Sequence, residues 1–354
     1  MATPHIKIHK ALGQKALSTI KRLGLLSDRH KILRNGEHLL IPLSKEPEWY
    51  ELEELKEIAD SLEMIWITGV EKVRRPKNLV EALGDRLPPH LLSTLPRSYD
   101  LIGDIAIIEI PRELKPYKRE IGEALLKIHP NIRLVLAKAS AIEGIYRVRE
   151  YEVLVGEGST ETIHREFGIN LSLDITKVYF SPRLAYERQR VASLVRDGEV
   201  VVDMFAGVGP FSIHIAKRLN RVLVYAIDIN PDAYRYLLKN IELNKVRDRV
   251  KPILGDCREV IDQLLVERAN RVIMNFPEKA EEFLPWACRA LKKEGGVIHF
   301  YCFSQEPYAI EKALEKAANG VERSGRVIKE VLSKRKVRAT APYEWQIGLD
   351  LLVA

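Results

Sequence analysis

Cysteine is scarce: the chain has three in 354 residues, Cys257, Cys288 and Cys302, and none forms a CxxC pair. That spacing excludes a disulfide framework and a cysteine-based zinc knuckle, and it fits a reducing, cytoplasmic setting. Each cysteine is expected to be a buried apolar filler. Long hydrophobic runs are missing too. The most apolar stretches, 101–111 and 200–211, are broken by Gly and Asp, well short of the roughly 18 residues of a membrane span. No apolar signal core follows Met1. Neither repeats nor low-complexity tracts appear, and no metal-ligand spacing is present, so no metal is expected. Five glutamines stand against 56 Lys+Arg and 49 Asp+Glu, a composition that leans toward a thermophile.

What is present can build a core. Hydrophobic residues make up 46% and charged residues 30%, which rules out global disorder. At roughly 150 residues per domain the length predicts two or three domains. The formal net charge is +7. Residues 1–50 hold nine Lys/Arg against four Asp/Glu, and Lys334, Arg335, Lys336 and Arg338 form a basic run. Any one such cluster is ordinarily a solvated face. Several in one chain favour a polyanion, nucleic acid above all.

Periodicity divides the chain. Apolar spacing predicts a helix over 9–23, a hairpin over 31–43 turning at Asn35-Gly36, a helix over 48–64 and a strand over 64–68. These compose a small N-terminal α/β module, 1–68. The stretch 69–94 contains Leu87-Pro88-Pro89 and reads as a linker. A middle α+β domain, 95–172, has strands expected over 101–110, 132–137, 148–155 and 161–167, with a helix over 115–128. From 173 to 354 strands alternate with helices. Strands are expected over 200–203, 221–228, 250–254, 271–274 and 296–302, with a final pair over 327–332 and 345–351. This is an α/β pattern, a mostly parallel sheet covered on both faces. Ligands of such sheets bind beyond the carboxyl ends of the strands.

The first of those ends carries Asp203 and then Gly207-Val208-Gly209. Glycines there let backbone approach a ligand closely. A dinucleotide-binding turn is one reading. Against it, Ser212 stands where a third small residue is usual, and Asp203 would repel a pyrophosphate but suit an ammonium. Asp228, ending the second strand, can take ribose hydroxyls, and Asp256, ending the third, can meet an adenine edge. The set favours a nucleoside without phosphates and with a cationic amino-acid tail, which describes S-adenosylmethionine.

The run from Asp203 to Ser212 resembles the first motif of class I methyltransferases. Together with Tyr179-Phe180-Ser181-Pro182-Arg183, Asn275-Phe276-Pro277 and Ala341-Pro342-Tyr343-Glu344-Trp345, it resembles the archaeal/eukaryotic tRNA (guanine-37-N1)-methyltransferase family over essentially the whole chain. The family usually reads Asn-Leu-Pro or Asn-Pro-Pro where this chain has Phe276. The resemblance implies a seven-stranded class I methyltransferase domain and S-adenosylmethionine as cofactor. It places Phe205, Ala206, Gly207, Gly209, Ile229, Cys257 and Asn275 at the cofactor, with Arg188 reaching the methionine carboxylate. It implies tRNA as partner, with the anticodon loop at the catalytic domain and the elbow at the N-terminal module. No strong apolar interface stripe is visible, so a monomer is expected. A wyosine-pathway enzyme on the same scaffold, moving an aminocarboxypropyl group or methylating a tricyclic guanine, is the alternative.

Methylating guanine N1 sets a chemical requirement. N1 carries a proton at neutral pH, and its loss sends negative charge toward O6. The site needs a proton acceptor near N1 and a donor near O6. The resemblance places the acceptor on Glu187; from position alone that residue reads first as a carboxylate complementing a helix N-terminus. It places the O6 donor on Arg147, with Arg149 in support; alone, the two read as a phosphate-binding pair. A guanidinium offers several donors and keeps its charge. Asn275 can donate and accept at a base edge, Pro277 fixes the chain after it, and Tyr179 can stack on the extruded base. Arg183 and the run Lys334, Arg335, Lys336 and Arg338 are candidates for the RNA backbone, the run being otherwise an exposed hairpin loop.

Overall fold

The computed structural model of the protein describes residues 2–59, 61–72, 75–140, 144 and 146–354. They divide into two compact units, Met1–Arg75 and Pro76–Ala354.

In the first unit, β1 (Ala2–His9), α1 (Gly13–Arg22), β2 (Leu33–Asn35), β3 (His38–Pro42), α2 (Trp49–Lys56) and β4 (Glu63–Thr68) build a four-stranded antiparallel sheet in the order β2-β3-β1-β4. Ile6 and Ile8 alternate onto one face and bury against Ala16, Ile20 and Leu55 of the helices. The hairpin turns at Asn35-Gly36 as expected; Gly36 has φ 58°, the region a tight turn requires. The central strand β1 has no counterpart in the expectations. The helix expected over 48–64 ends at Lys56, and the chain re-enters as a strand at Glu63.

The second unit begins with a correction. The stretch 69–94 is not simply a linker: α3 (Leu79–Leu83) and α4 (Pro89–Leu92) fold within it, while 73 and 74 lie outside the described residues. Leu79, Leu83, Leu87 and Leu95 are buried with Ala106, Ile108, Ile121 and Leu125 of the middle domain. Asn78 caps α3 by accepting from the Glu81 N–H. The apolar spacing of four is the helical signal, and the Pro88-Pro89 pair does not oppose it: Pro88 caps α4 and Pro89 opens it, where a missing N–H costs nothing. The middle sheet runs β5-β6-β7-β8, formed by β5 (Asp100–Ile102), β6 (Ile105–Ile108), β7 (Leu134–Lys138) and β8 (Tyr151–Gly156), with α5 (Lys118–Ile128) packed on it. The single strand expected over 101–110 is therefore a hairpin, turned by Gly103 at φ 57°.

A second hairpin, β9 (Glu161–Glu166) with β10 (Ile169–Asp174), leads to α6 (Ala185–Leu194). Then come β11 (Val200–Asp203), α7 (Pro210–Arg218), β12 (Leu223–Asp228), α8 (Pro231–Asn244), β13 (Val250–Leu254), α9 (Cys257–Val260), β14 (Arg271–Met274), α10 (Ala280–Ala290), β15 (Gly296–Gln305), α11 (Ala309–Glu322), β16 (Ile328–Ala341) and β17 (Glu344–Val353). The seven strands lie in the order β13-β12-β11-β14-β15-β17-β16; β17 alone runs antiparallel to both neighbours. Alternation along the strands feeds two cores: Val201 and Ile273 face one, Val202, Val272 and Met274 the other. The strands end together, so the turns after β11, β12, β13 and β14 open onto one edge of the sheet.

Candidate functional site

At that edge lies a cavity of about 470 Å³. Its floor is the turn after β11. Gly207 and Gly209 have φ 57° and 88°, conformations that L side chains rarely adopt. A Cβ on Gly209 would sit 2.4 Å from Leu237; one on Gly207 would project into open space, with nothing nearer than the Tyr179 carbonyl at 3.9 Å. Pro210 starts α7 at a position where its missing N–H costs nothing. The turn is braced from below by Asn240, whose side chain donates to the carbonyls of Val208 and Ser172 and accepts from the Ser172 N–H. Nothing in the local sequence marks Asn240, because its partners lie on other elements.

Asp228 faces the same cavity. Its carboxylate accepts from the Gly207 N–H at 2.6 Å and the Asn230 N–H at 2.9 Å, and burial pushes its pKa above the ordinary value. Ile229, Cys257 and Asp256 follow along the wall. The Cys257 thiol is pushed up to about 12 by burial, so it stays protonated. Asp256 caps α9 and is paired with Arg258, which itself lies over Phe283. Phe205, Phe276 and Phe283 form an aromatic wall, with Phe205 and Phe276 centroids 5.0 Å apart. An open glycine turn, a carboxylate held by backbone donors and a flat aromatic wall fit a nucleoside with an amino-acid tail.

The other end of the cavity is built by different elements. Arg147 is buried, adopts φ 54°, and its guanidinium lies 4.5 Å from the Tyr179 ring centroid and 5.4 Å from that of Phe276. It donates to Glu278 at 2.9 Å, while its Nε has no hydrogen-bond partner among the described residues. Arg147 thus combines a backbone conformation uncommon outside glycine with an unmet donor beside a cavity. Asn275 accepts from Gln346 at 3.1 Å. A second cavity, about 280 Å³, adjoins through Arg147, Tyr179 and Glu278, and is lined also by Arg149, Arg183 and Arg338.

Thus Arg147, Tyr179, Arg188, Phe205, Ala206, Gly207, Asp228, Ile229, Asp256, Cys257 and Asn275 line one cavity. Several others are placed differently. Pro277 and Gly209 shape the backbone without lining it. Arg188 lines it, but its guanidinium is held by both oxygens of Glu166, at 2.7 and 2.5 Å, and by the Ser181 carbonyl. Burial would raise the Glu166 pKa, but His164, His214 and Arg188 hold it well below the usual carboxylate range. In this arrangement the guanidinium of Arg188 is committed to Glu166 and not free for a cofactor carboxylate.

Asp203 is also displaced from its expected place. It is fully buried beneath the turn and accepts from the Ser212 hydroxyl at 2.8 Å, with its Oδ1 unpartnered among the described residues. Burial raises its pKa to about 7. A folded-state pKa above the unfolded one means that folding binds a proton; stability is then lost as pH rises from about 4 to about 7. Asp203→Asn should therefore raise Tm by roughly 5 °C or more at pH 8, with the gain shrinking toward pH 4, in thermal scans across pH. A gain of equal size at every pH would contradict the protonation account.

Glu187 is the largest departure. Its carboxylate does not line either cavity. It accepts from the Tyr301 hydroxyl at 2.6 Å, from Arg190 at 2.9 Å and from Arg335 at 2.7 Å. The two arginines also hold Asp350, which bonds His299 at 2.6 Å. Burial pushes the Glu187 pKa up despite these partners. Gly348 leaves room for this network: a Cβ there would lie 3.1 Å from the Tyr301 ring and 3.3 Å from Arg335.

The basic run is corrected for the same reason. It lies within β16, where Lys334 and Lys336 point outward, the latter paired with Glu306. Arg335 turns inward to Glu187, and a register shift between Lys336 and Arg338 brings Arg338 inward as well, to Ser181, Tyr179 and Gln346. It is one half of an edge hairpin, not a continuous exposed strip. Among the described residues no helix is long and apolar enough to cross a membrane.

Strand order, the glycine turn and the cavity at the strand ends define a class I methyltransferase domain. Comparisons with known proteins narrow this. The TRM5/TYW2 methyltransferase domain matches residues 162–328, the TYW2 N-terminal domain 79–160 and the tRNA methyltransferase 5 N-terminal domain 6–51. The tRNA (guanine(37)-N(1))-methyltransferase Trm5b of Pyrococcus abyssi is 45% identical over 350 residues, covering 99% of this chain and 98% of that protein. The structure of an aTrm5 complex with tRNALeu aligns at TM-score 0.72 and 37% identity, over 99% of both chains. The structure of Methanocaldococcus jannaschii TYW2 in complex with AdoMet aligns at TM-score 0.55 and 32% identity, over 72% of this chain and 99% of that one. The chain belongs to the TRM5/TYW2 methyltransferase family.

Proposed function

We propose that the protein transfers a methyl group from S-adenosylmethionine to N1 of guanosine 37 in tRNA. The observation that carries this reading is one cavity with two chemically different ends. At one end are the glycine turn, Asp228 and the aromatic wall; at the other are Arg147, Tyr179 and Asn275. Full-length similarity to a protein named for that activity supports it.

S-adenosylmethionine, when bound, supplies an electrophilic methyl on a sulfonium. The Gly207 backbone and Asp228 hold its nucleoside, and the Phe205–Phe276–Phe283 wall excludes water from the transfer path. The target base must leave its stack. Arg147 donates to O6, where charge builds as N1 loses its proton, and low local dielectric strengthens that contact. Its buried position and unmet Nε suit this role. Asn275 holds the base edge, and Tyr179 packs under Arg147.

The proton goes to Glu187. That role rests on the family resemblance and on a pKa already raised by burial. It requires the carboxylate to exchange Arg335 and Tyr301 for the base when tRNA seats. The N-terminal unit holds the tRNA elbow, and Arg149 and Arg183, lining the adjoining cavity, hold anticodon-loop phosphates. The enzyme acts as a cytoplasmic monomer.

The test is nucleoside analysis of tRNA transcripts carrying guanosine or adenosine at position 37 after incubation with S-adenosylmethionine. The expected product is 1-methylguanosine from the first transcript alone. A four-carbon addition, or equal labelling of both transcripts, would overturn the reading.

A further inference from the structure

We infer that Glu278 reads the exocyclic 2-amino group of the target guanine and so sets a preference for guanine over purines lacking that donor. The inference deepens the proposed function and rests on it.

Glu278 follows Pro277 at the end of β14 and lines both cavities, so it stands at the junction between them. Its side chain is 45% exposed. One of its oxygens accepts from Arg147. A carboxylate has about four acceptor positions, so most of its capacity is open. Of the other carboxylates lining the first cavity, Asp228 accepts two backbone N–H groups, Asp256 is paired with Arg258, and Glu282, in the first turn of α10, does not line the second cavity as Glu278 does. The Asn275 carbonyl already accepts from Gln346, so that side chain has one acceptor position and its amide donors left, fewer open acceptor positions than Glu278.

The pair therefore presents a donor, Arg147, next to an acceptor, Glu278. Guanine's pairing edge presents the complementary order: the O6 acceptor, then N1–H and the 2-amino donors. Adenine presents a donor and then an acceptor. With O6 on Arg147, N1 must give up its proton and stay open to the incoming methyl. The 2-amino group is then the donor left for a carboxylate that touches Arg147. A hydrogen bond to a charged acceptor is stronger than a neutral one, and leaving either partner unmatched in a closed site is costly.

The experiment compares kcat/KM on tRNA transcripts with guanosine or inosine at position 37, for the full-length protein and its Glu278→Ala variant, which has no side-chain acceptor. Inosine keeps O6 and N1–H but lacks the 2-amino group. The wild type should prefer guanosine by about 10-fold or more. In Glu278→Ala the guanosine-to-inosine ratio should fall to near one, beyond any loss common to both transcripts from the missing contact with Arg147. Equilibrium binding of S-adenosylmethionine checks that the variant is folded; Glu278→Asp, which keeps the acceptor, should keep part of the preference. Equal loss on both transcripts, or a wild type indifferent to the 2-amino group, overturns the inference. A wild type that makes no 1-methylguanosine sinks instead the reading beneath it.

Discussion

Arg147→Ala should lower the single-turnover rate of methyl transfer to tRNA by about 10²–10³-fold, the usual cost of removing one donor from a developing oxyanion. Cofactor affinity should stay within about twofold, because the turn after β11 and Asp228 sit at the other end of the cavity. Arg147→Lys should recover little. A lysine keeps the charge but not the planar set of donors that serves O6 and Glu278 together. The geometry makes this a sharp test: the guanidinium is buried, carries an unmet Nε and lies against two aromatic rings. If the Ala variant bound tRNA poorly but transferred methyl at the normal rate once bound, Arg147 would be a backbone anchor, not a charge-stabilising group.

The second large effect belongs to Glu187. In the proposed mechanism Glu187→Gln slows the chemical step by at least about 10²-fold. It also removes the rise of the single-turnover rate with pH. That rise reflects the raised pKa of a base that must be ionised to work: the fraction active grows as pH climbs through the folded-state value. The structure supplies a rival outcome. Glu187 joins Tyr301, Arg190 and Arg335 in a buried network, and removing one partner of a buried ion pair typically costs about 3–5 kcal/mol. If Glu187→Gln lowered Tm while the single-turnover rate and its pH slope survived, the carboxylate would be a positioning group. It would then act by holding α6, which carries Arg188 to the cavity wall.

The contrast between these two residues shows what the sequence makes legible. The parallel sheet was readable because Val200–Asp203 and its counterparts are short β-branched runs, each closed by an acid or a turn. The cofactor end was readable for the same reason, since Gly207, Asp228, Asp256 and Asn275 all follow such runs and strand ends converge in this fold. What escaped depends on distant partners. Arg335 reaches Glu187 across 148 positions, and no local pattern distinguishes it from its neighbours Lys334 and Lys336. Only the period-two alternation of a strand separates them, and that requires knowing that β16 extends through the basic run. The register shift before Arg338 adds a second inward residue that strict alternation would not give.

Smaller omissions have similar causes. β1 carries little signal in the sequence: Ala2–His9 begins with small and polar residues, and its apolar alternation is Ile6 and Ile8 alone. The helices at Leu79–Leu83 and Pro89–Leu92 were hidden by proline composition, although Leu79, Leu83 and Leu87 recur at helical spacing. The position of Asp203 beside the turn suggests the cavity. Its burial comes from Ser212 on α7 and from the floor of the sheet, which composition does not reveal.

A structure of the protein with a tRNA and a non-reactive cofactor analogue would test the central claim most directly. The account predicts the base of nucleotide 37 swung into the cavity, its O6 within about 3 Å of the Arg147 guanidinium and its N1 facing the analogue. A base seated elsewhere, with Arg147 still bound only to Glu278 and Glu187 still clasped by Arg190 and Arg335, would contradict it.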